Sequence, residues 1–295
     1  MNKKVIAMII VFVLVFWVVG ILKKNGVIFK TAETSVTNST EITNEENLPS
    51  EITIYDIEEG YLKVPFNKEA DKHSYDWKNL DRASNYKYED DAYTSKLGID
   101  VSSYQKNINW KEVKNSGVEF AILRIGYRGY GEAGKIVLDP SFEQNYKEAK
   151  KAGIEVGVYF FSQAINNDEI QEEANFVINH LKGKEITYPV VYDLEKIKND
   201  TGRTDNLTID EITNMSLEFC KIIKENGYTP SIYGNAKTFT TKMKLEQFND
   251  ICKWYADYQE EPLYPYEFEL WQYTESGKIK GISSNVDINI QFIKK

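Results

Sequence analysis

The segment Val156-Gly157-Val158-Tyr159-Phe160-Phe161, the amphipathic stretch 168–181, and Pro189-Val190-Val191-Tyr192-Asp193-Leu194-Glu195 together read as strand, helix, strand. Both apolar runs are short and nearly continuous, as expected of strands covered on both faces. The same alternation extends in both directions. Further strands are expected at 97–103, 120–127, 231–235, 254–258, 270–274 and 286–292, with helices at 141–152 and 210–225. The helical stretches 141–152 and 210–225 each run into a glycine, Gly153 and Gly227, the residue that accepts a left-handed C-terminal cap. Strands alternating with helices imply a largely parallel sheet. Eight strands between residues 97 and 292 suit a closed α/β structure, a TIM-like β/α barrel, better than an open sheet. Helices thin out after Gly227, so the barrel should be irregular.

Outside 96–295, the assigned barrel region, the chain changes character. Residues 5–22 are apolar and uncharged, flanked by Lys3-Lys4 and Lys23-Lys24, and approach the length that spans a bilayer. Bulky Phe12, Phe16 and Trp17 and the lack of an Ala-x-Ala site favour an uncleaved transmembrane anchor in segment 1–24. That choice predicts a single-pass protein of the cell membrane with region 96–295 extracytoplasmic; the alternative is secretion after signal cleavage. Segment 25–95 reads as a linker, rich in Ser, Thr, Asn and Glu over 31–49, and then a Tyr-bearing preface without a sustained period.

Composition excludes several function classes. A net charge of −9 with no basic stripe argues against nucleic acid as a partner. The two cysteines, Cys220 and Cys252, form no CxxC pair, so neither a disulfide framework nor a metal site is expected, and no cofactor is implied. His73 and His180 are the only histidines, and neither sits where a Ser-His-Asp triad would need it. Gly129-Tyr130-Gly131-Glu132-Ala133-Gly134 fits GxGxxG, but residues 135–140 separate it from the next helix. A dinucleotide fingerprint opens its helix directly, so this stretch reads as a loop at the barrel mouth.

The chemistry concentrates in carboxylates. Side chains alternate along a strand, so Asp193 and Glu195 should face the same way, roughly 6–7 Å apart. Paired carboxyls tend to divide into one that keeps its proton and one that keeps its charge, as glycoside hydrolysis requires. Asp100, in Gly98-Ile99-Asp100-Val101-Ser102, ends the first strand, and Asp287 lies in the last. Closure of a barrel makes those strands neighbours, gathering four acids at one mouth.

Residues 97–292 resemble the family 25 glycoside hydrolases, the Chalaropsis-type lysozymes. The likeness rests on Gly98-Ile99-Asp100-Val101-Ser102, the run from Phe120 to Gly126, Gly157-Val158-Tyr159-Phe160-Phe161, Asp193-x-Glu195, Trp254-Tyr255-Ala256-Asp257-Tyr258, Trp271-Gln272-Tyr273 and Val286-Asp287, all in the family's order. It implies cleavage of the β-1,4 bond after N-acetylmuramic acid in peptidoglycan, with Glu195 as proton donor and Asp100, Asp193 and Asp287 as supporting acids. Phe160 departs from the pattern, since many members carry His there. Tyr159, Tyr233 and Trp271 are the expected sugar contacts, because aromatic faces stack on sugars. Two other readings stand beside this one: a chitinase-like glycosidase, and a glycan binder without activity. Because Asp193 and Glu195 share a strand they reach the sugar from one side, which favours retention through the substrate's own 2-acetamido group over a water placed between them.

Overall fold

The computed structural model describes residues 48–198 and 200–295. Leu48–Lys295 forms one compact unit. The expected membrane helix and most of the linker lie outside the described residues; among the described residues, no helix is long and apolar enough to cross a membrane.

The preface is folded. An antiparallel hairpin pairs β1 (Glu51–Asp56) with β2 (Gly60–Pro65), and a smaller one pairs β3 (Leu80–Asp81) with β4 (Lys87–Tyr88). The barrel follows with β5 (Tyr93–Val101), β6 (Phe120–Arg128), β8 (Glu155–Phe161), β9 (Val190–Asp193), β10 (Pro230–Asn235), β11 (Cys252–Ala256), β12 (Leu270–Gly277) and β13 (Val286–Lys294). A short strand, β7 (Ile136–Leu138), pairs antiparallel with the far end of β6. The helices are α1 (Trp110–Asn115), α2 (Phe142–Lys151), α3 (Asn167–Leu181) and α4 (Ile209–Glu225). Asn166 caps α3 and a Thr208–Glu211 capping box opens α4. Gly153 and Gly227, at φ +76° and +85°, follow α2 and α4 in the left-handed conformation expected of them.

Strands β5, β6, β8, β9, β10, β11 and β12 run parallel, and β13 returns antiparallel between β12 and β5 to close the ring. The sheet is therefore mixed rather than wholly parallel. Closure brings the first and last barrel strands together as expected, with Asp287 directly opposite Asp100.

Alternation splits the apolar residues into two cores. Inside the barrel lie Phe120, Ile122, Tyr188, Val191, Trp254 and Leu270. Phe120 and Tyr188 stack at 4.4 Å and plug the barrel floor. Gly98 and Gly157 make room for them: a Cβ would come within 2.1 Å of the Phe120 ring at Gly98 and 2.8 Å of the Tyr188 Cβ at Gly157. Outside the barrel, strand faces pack against the covering layers. Helices α2, α3 and α4 cover β6, β8, β9 and β10. The preface covers β12 and β13 instead, with Tyr75 stacked on Phe292 at 3.9 Å and Tyr86 on Tyr273 at 4.2 Å.

Candidate active site

All four predicted acids reach one end of the barrel. Asp100, on β5, is buried, and its Oδ2 accepts from Gln272 Nε2 at 2.9 Å and Asn289 Nδ2 at 2.8 Å. Trp254 Nε1 fixes Asn289 through its Oδ1 at 2.7 Å. Tyr233 and Tyr258 both donate to Gln272 Oε1, at 2.9 and 3.0 Å. Asp100 thus stands at the centre of a network that orients it from two sides.

Burial raises the Asp100 carboxyl to about 6, against the lowering effect of the two amide donors. Asp287 hydrogen-bonds to it and is raised further, to about 9, first by burial and then by the Asp100 charge. Two carboxyls in contact cannot both ionise cheaply, so they hold a proton between them near neutrality.

The second pair behaves alike. Asp193 ends β9 facing inward, and burial, then the Glu195 charge, push it well above the usual carboxylate range. Its Oδ1 is buried without a conventional donor. Glu195 lies beyond the strand end on an exposed segment, yet its carboxyl turns back to hydrogen-bond with Asp193; desolvation of the carboxyl raises it, against the lowering effect of that bond. Continuous strand spacing would have kept the carboxyls roughly 6–7 Å apart; the early end of β9 brings them into contact instead. Arg124, an inward residue of β6 whose Nε donates to Asp139 at 2.7 Å, is the cation that opposes the upward shift of Asp193.

The three expected sugar contacts separate. Tyr159 and Tyr233 line the interior, packed edge-on against Trp254 at 6.1 and 4.7 Å, and the phenol of each is raised by burial and by neighbouring acids. Trp271 does not join them. Gln272 points inward, so its neighbour Trp271 points outward, fully buried beside Trp77 and Tyr86, with its Nε1 donating to the Asp257 carbonyl at 2.8 Å. Its packing leaves no face for a sugar. Phe160 also faces away from the acids, against Phe176 of α3 at 5.8 Å, so the departure from the family pattern lies on the helix side.

Sequence reading missed Gln272, Asn289, Arg124 and Tyr258. Two-residue alternation from Asp287 would have placed Asn289 on the same face as the acid. Tyr104 was missed as well: it is 75% exposed near the mouth, with the Arg124 guanidinium 5.1 Å from its ring. Among the described residues, no group of His, Cys, Asp and Glu has the arrangement of a metal site.

A family model described as Glycosyl hydrolases family 25 matches residues 99–282. The chain is 25% identical over 193 residues to the autolytic lysozyme of Clostridium acetobutylicum, covering 65% of this chain and 54% of that protein. It therefore spans about half the length of that relative. The crystal structure of a bacterial lysozyme from Streptomyces coelicolor is similar at a TM-score of 0.53 and 25% identity, over 66% of this chain and 90% of that one. The modular autolysin LytC of Streptococcus pneumoniae resembles it in fold over a larger share, 83% of this chain and 57% of that one, at a TM-score of 0.59 and 24% identity. The match across more than half of its length, over a barrel carrying four acids at one mouth, shows that the chain belongs to glycosyl hydrolases family 25 and is a glycoside hydrolase.

Proposed function

We propose that this protein is an N-acetylmuramidase that cuts the β-1,4 bond between N-acetylmuramic acid and N-acetylglucosamine in peptidoglycan. The observation that carries this reading is the pairing of Asp193 with Glu195 and Asp100 with Asp287 at the mouth of a family 25 barrel. The lysozyme names of relatives such as that of Clostridium acetobutylicum support the substrate. Glu195, at the rim, is the proton donor. In the free enzyme the deeper Asp193 draws the shared proton inward; sugar closing over the mouth desolvates Glu195 and favours the proton on it. Asp193, left charged, orients the substrate's 2-acetamido group and stabilises the cationic ring, while Asp100 and Asp287 support the site. Tyr159 and Tyr233 contact the sugar. Contact between the Asp193 and Glu195 carboxyls leaves no room for a water between them, which favours this substrate-assisted course.

The test is mass analysis of fragments released from purified wall, with chitin alongside. Muramic acid at the new reducing ends is expected; cutting of chitin alone points to a chitinase-like enzyme, and no cutting of either to a binder. Glu195→Gln should lose ~10²–10⁴-fold in rate, and retention of more than about a tenth would remove Glu195 from the donor role. Proton NMR in the first minutes should show the β-anomer; the α-anomer first would make Asp100 or Asp287 the better candidate for activating water. We also propose that residues 5–22 hold the enzyme in the cell membrane with the barrel outside. Fractionation and N-terminal sequencing test this, and a mature chain in the medium starting near residue 20 or 30 overturns it.

A further inference from the structure

Because β9 ends at Asp193, strand pairing cannot hold Glu195 in place. The ladder from β8 reaches only as far as Ser162, whose backbone N–H donates to the Asp193 carbonyl at 2.7 Å. The next contact is made by a side chain: Gln163, fully buried, donates from Nε2 to the Glu195 carbonyl at 3.1 Å.

Gln163 is itself gripped from the far side. Its Oε1 accepts from the Arg203 backbone N–H at 3.0 Å, and its carbonyl accepts from Arg203 Nη1 at 2.8 Å. The Arg203 guanidinium also forms a fork to Glu169 of α3, at 2.9 and 2.7 Å. Such two-point pairing fixes orientation as well as distance. Glu169 Oε2 in turn accepts from the Ile165 N–H at 3.0 Å, which ties the helix carboxylate back to the segment carrying Gln163.

The glycine loop 129–134 completes this lock. Gly134 sits at φ +47°, and a Cβ there would come within 2.5 Å of Arg203 Nη1. Its carbonyl accepts from buried Arg128 at 2.8 Å, and Arg128 also pairs with Glu173 of α3 at 2.7 Å. Of the three glycines in the GxGxxG match, Gly134 is the one pressed against Arg203; a Cβ at Gly131 would meet nothing within 4 Å.

We infer that Gln163, locked by Arg203 and Glu169, is a positioning residue for the proton donor Glu195, setting the reach of its carboxyl by holding its backbone carbonyl. This rests on the reading of Glu195 as donor. Gln163 touches neither the sugar nor the reacting atoms on this view; it acts only through Glu195. A displacement of about 1 Å in a catalytic group can cost on the order of 10²-fold in rate.

The test compares two substrates on the full-length chain. Natural wall glycan needs its leaving oxygen protonated, whereas a dinitrophenyl β-glycoside ending in N-acetylmuramic acid releases a stable anion without acid help. Gln163→Met keeps the length of the side chain and removes both of its polar contacts. It should lower kcat on wall glycan by ~10-fold or more with KM nearly unchanged, and change the dinitrophenyl rate by less than about 3-fold. Equal losses on both substrates mean general structural damage and overturn the proposal, as does wild-type behaviour on both. If Gln163→Met does not fold, Arg203→Met removes the guanidinium contacts to the Gln163 carbonyl and to Glu169 while leaving the Arg203 N–H bond, and must show the same selective loss. Glu195→Gln is run in parallel. Retention of wall-glycan activity by that variant removes the donor reading itself, whereas its inactivity beside an unselective Gln163→Met removes only the positioning role.

Discussion

Around its circumference the barrel is covered in two ways. On the side of β6, β8, β9 and β10, outward residues such as Phe160 and Tyr192 lie under amphipathic helices, against Phe176 and Phe219. On the side of β12 and β13, the outward residues Trp271, Tyr273 and Phe292 lie under Trp77, Tyr86, Tyr75 and Tyr88 of the preface. The acids divide between the two sides: Asp193 and Glu195 come from the helix-covered side, while Asp287 comes from the preface-covered side and meets Asp100 across the seam. The difference teaches that an amphipathic helix announces itself as a cover by its period, whereas an irregular chain can cover a strand through aromatic pairs and leave no period to read.

The strongest way to break this comparison is to delete residues 48–92 from the full-length chain. With the aromatic cover gone, the outer faces of β12 and β13 meet water, and we expect the cooperative thermal transition and the near-ultraviolet circular dichroism to be lost. A wild-type melting curve would show that the preface is dispensable to the barrel.

A smaller effect separates packing from sugar binding. Trp271→Ala should destabilise by about 3–5 kcal/mol, with Phe219→Ala as a comparable loss on the helix side. KM per folded molecule should hold in both. A higher KM for Trp271→Ala with an unchanged denaturant midpoint would return Trp271 to the substrate.

Phe160→His, which restores the residue many family members carry, should cost about 1–3 kcal/mol as a polar ring enters an apolar site. Because the position faces Phe176 rather than the acids, kcat/KM should stay as it was. A change in the pH profile of activity would show that the position communicates with the mouth.

The gentlest probe is a slope. Asp100 and Asp287 titrate higher in the folded state, at about 6 and about 9, than free carboxylates do. The folded state then binds more protons than the unfolded one. Their contribution is complete below the ordinary carboxylate range and is lost as pH rises through 6 towards 9. Asp287→Asn should flatten that decline in melting temperature. A wild-type decline that persists unchanged in the variant would place its origin elsewhere, in the raised Asp193 and Glu195 carboxyls or in buried Glu173, raised to about 7.

Alternation and order along the chain were enough to determine the eight barrel strands, the seam that pairs β5 with β13, and the meeting of Asp100 with Asp287, but not the preface hairpins or β7. Sequence periodicity states which residues share a face; it does not say which face looks inward. That choice, made by the inward bond from Gln272 to Asp100, sends Trp271 outward into the aromatic cover. The end of β9 at Asp193 was also beyond sequence reading, because a strand stops where its neighbours stop supplying backbone partners. Tertiary structure alone therefore decided that Glu195 leaves the strand and folds its carboxyl back onto Asp193, with Gln163 holding its backbone.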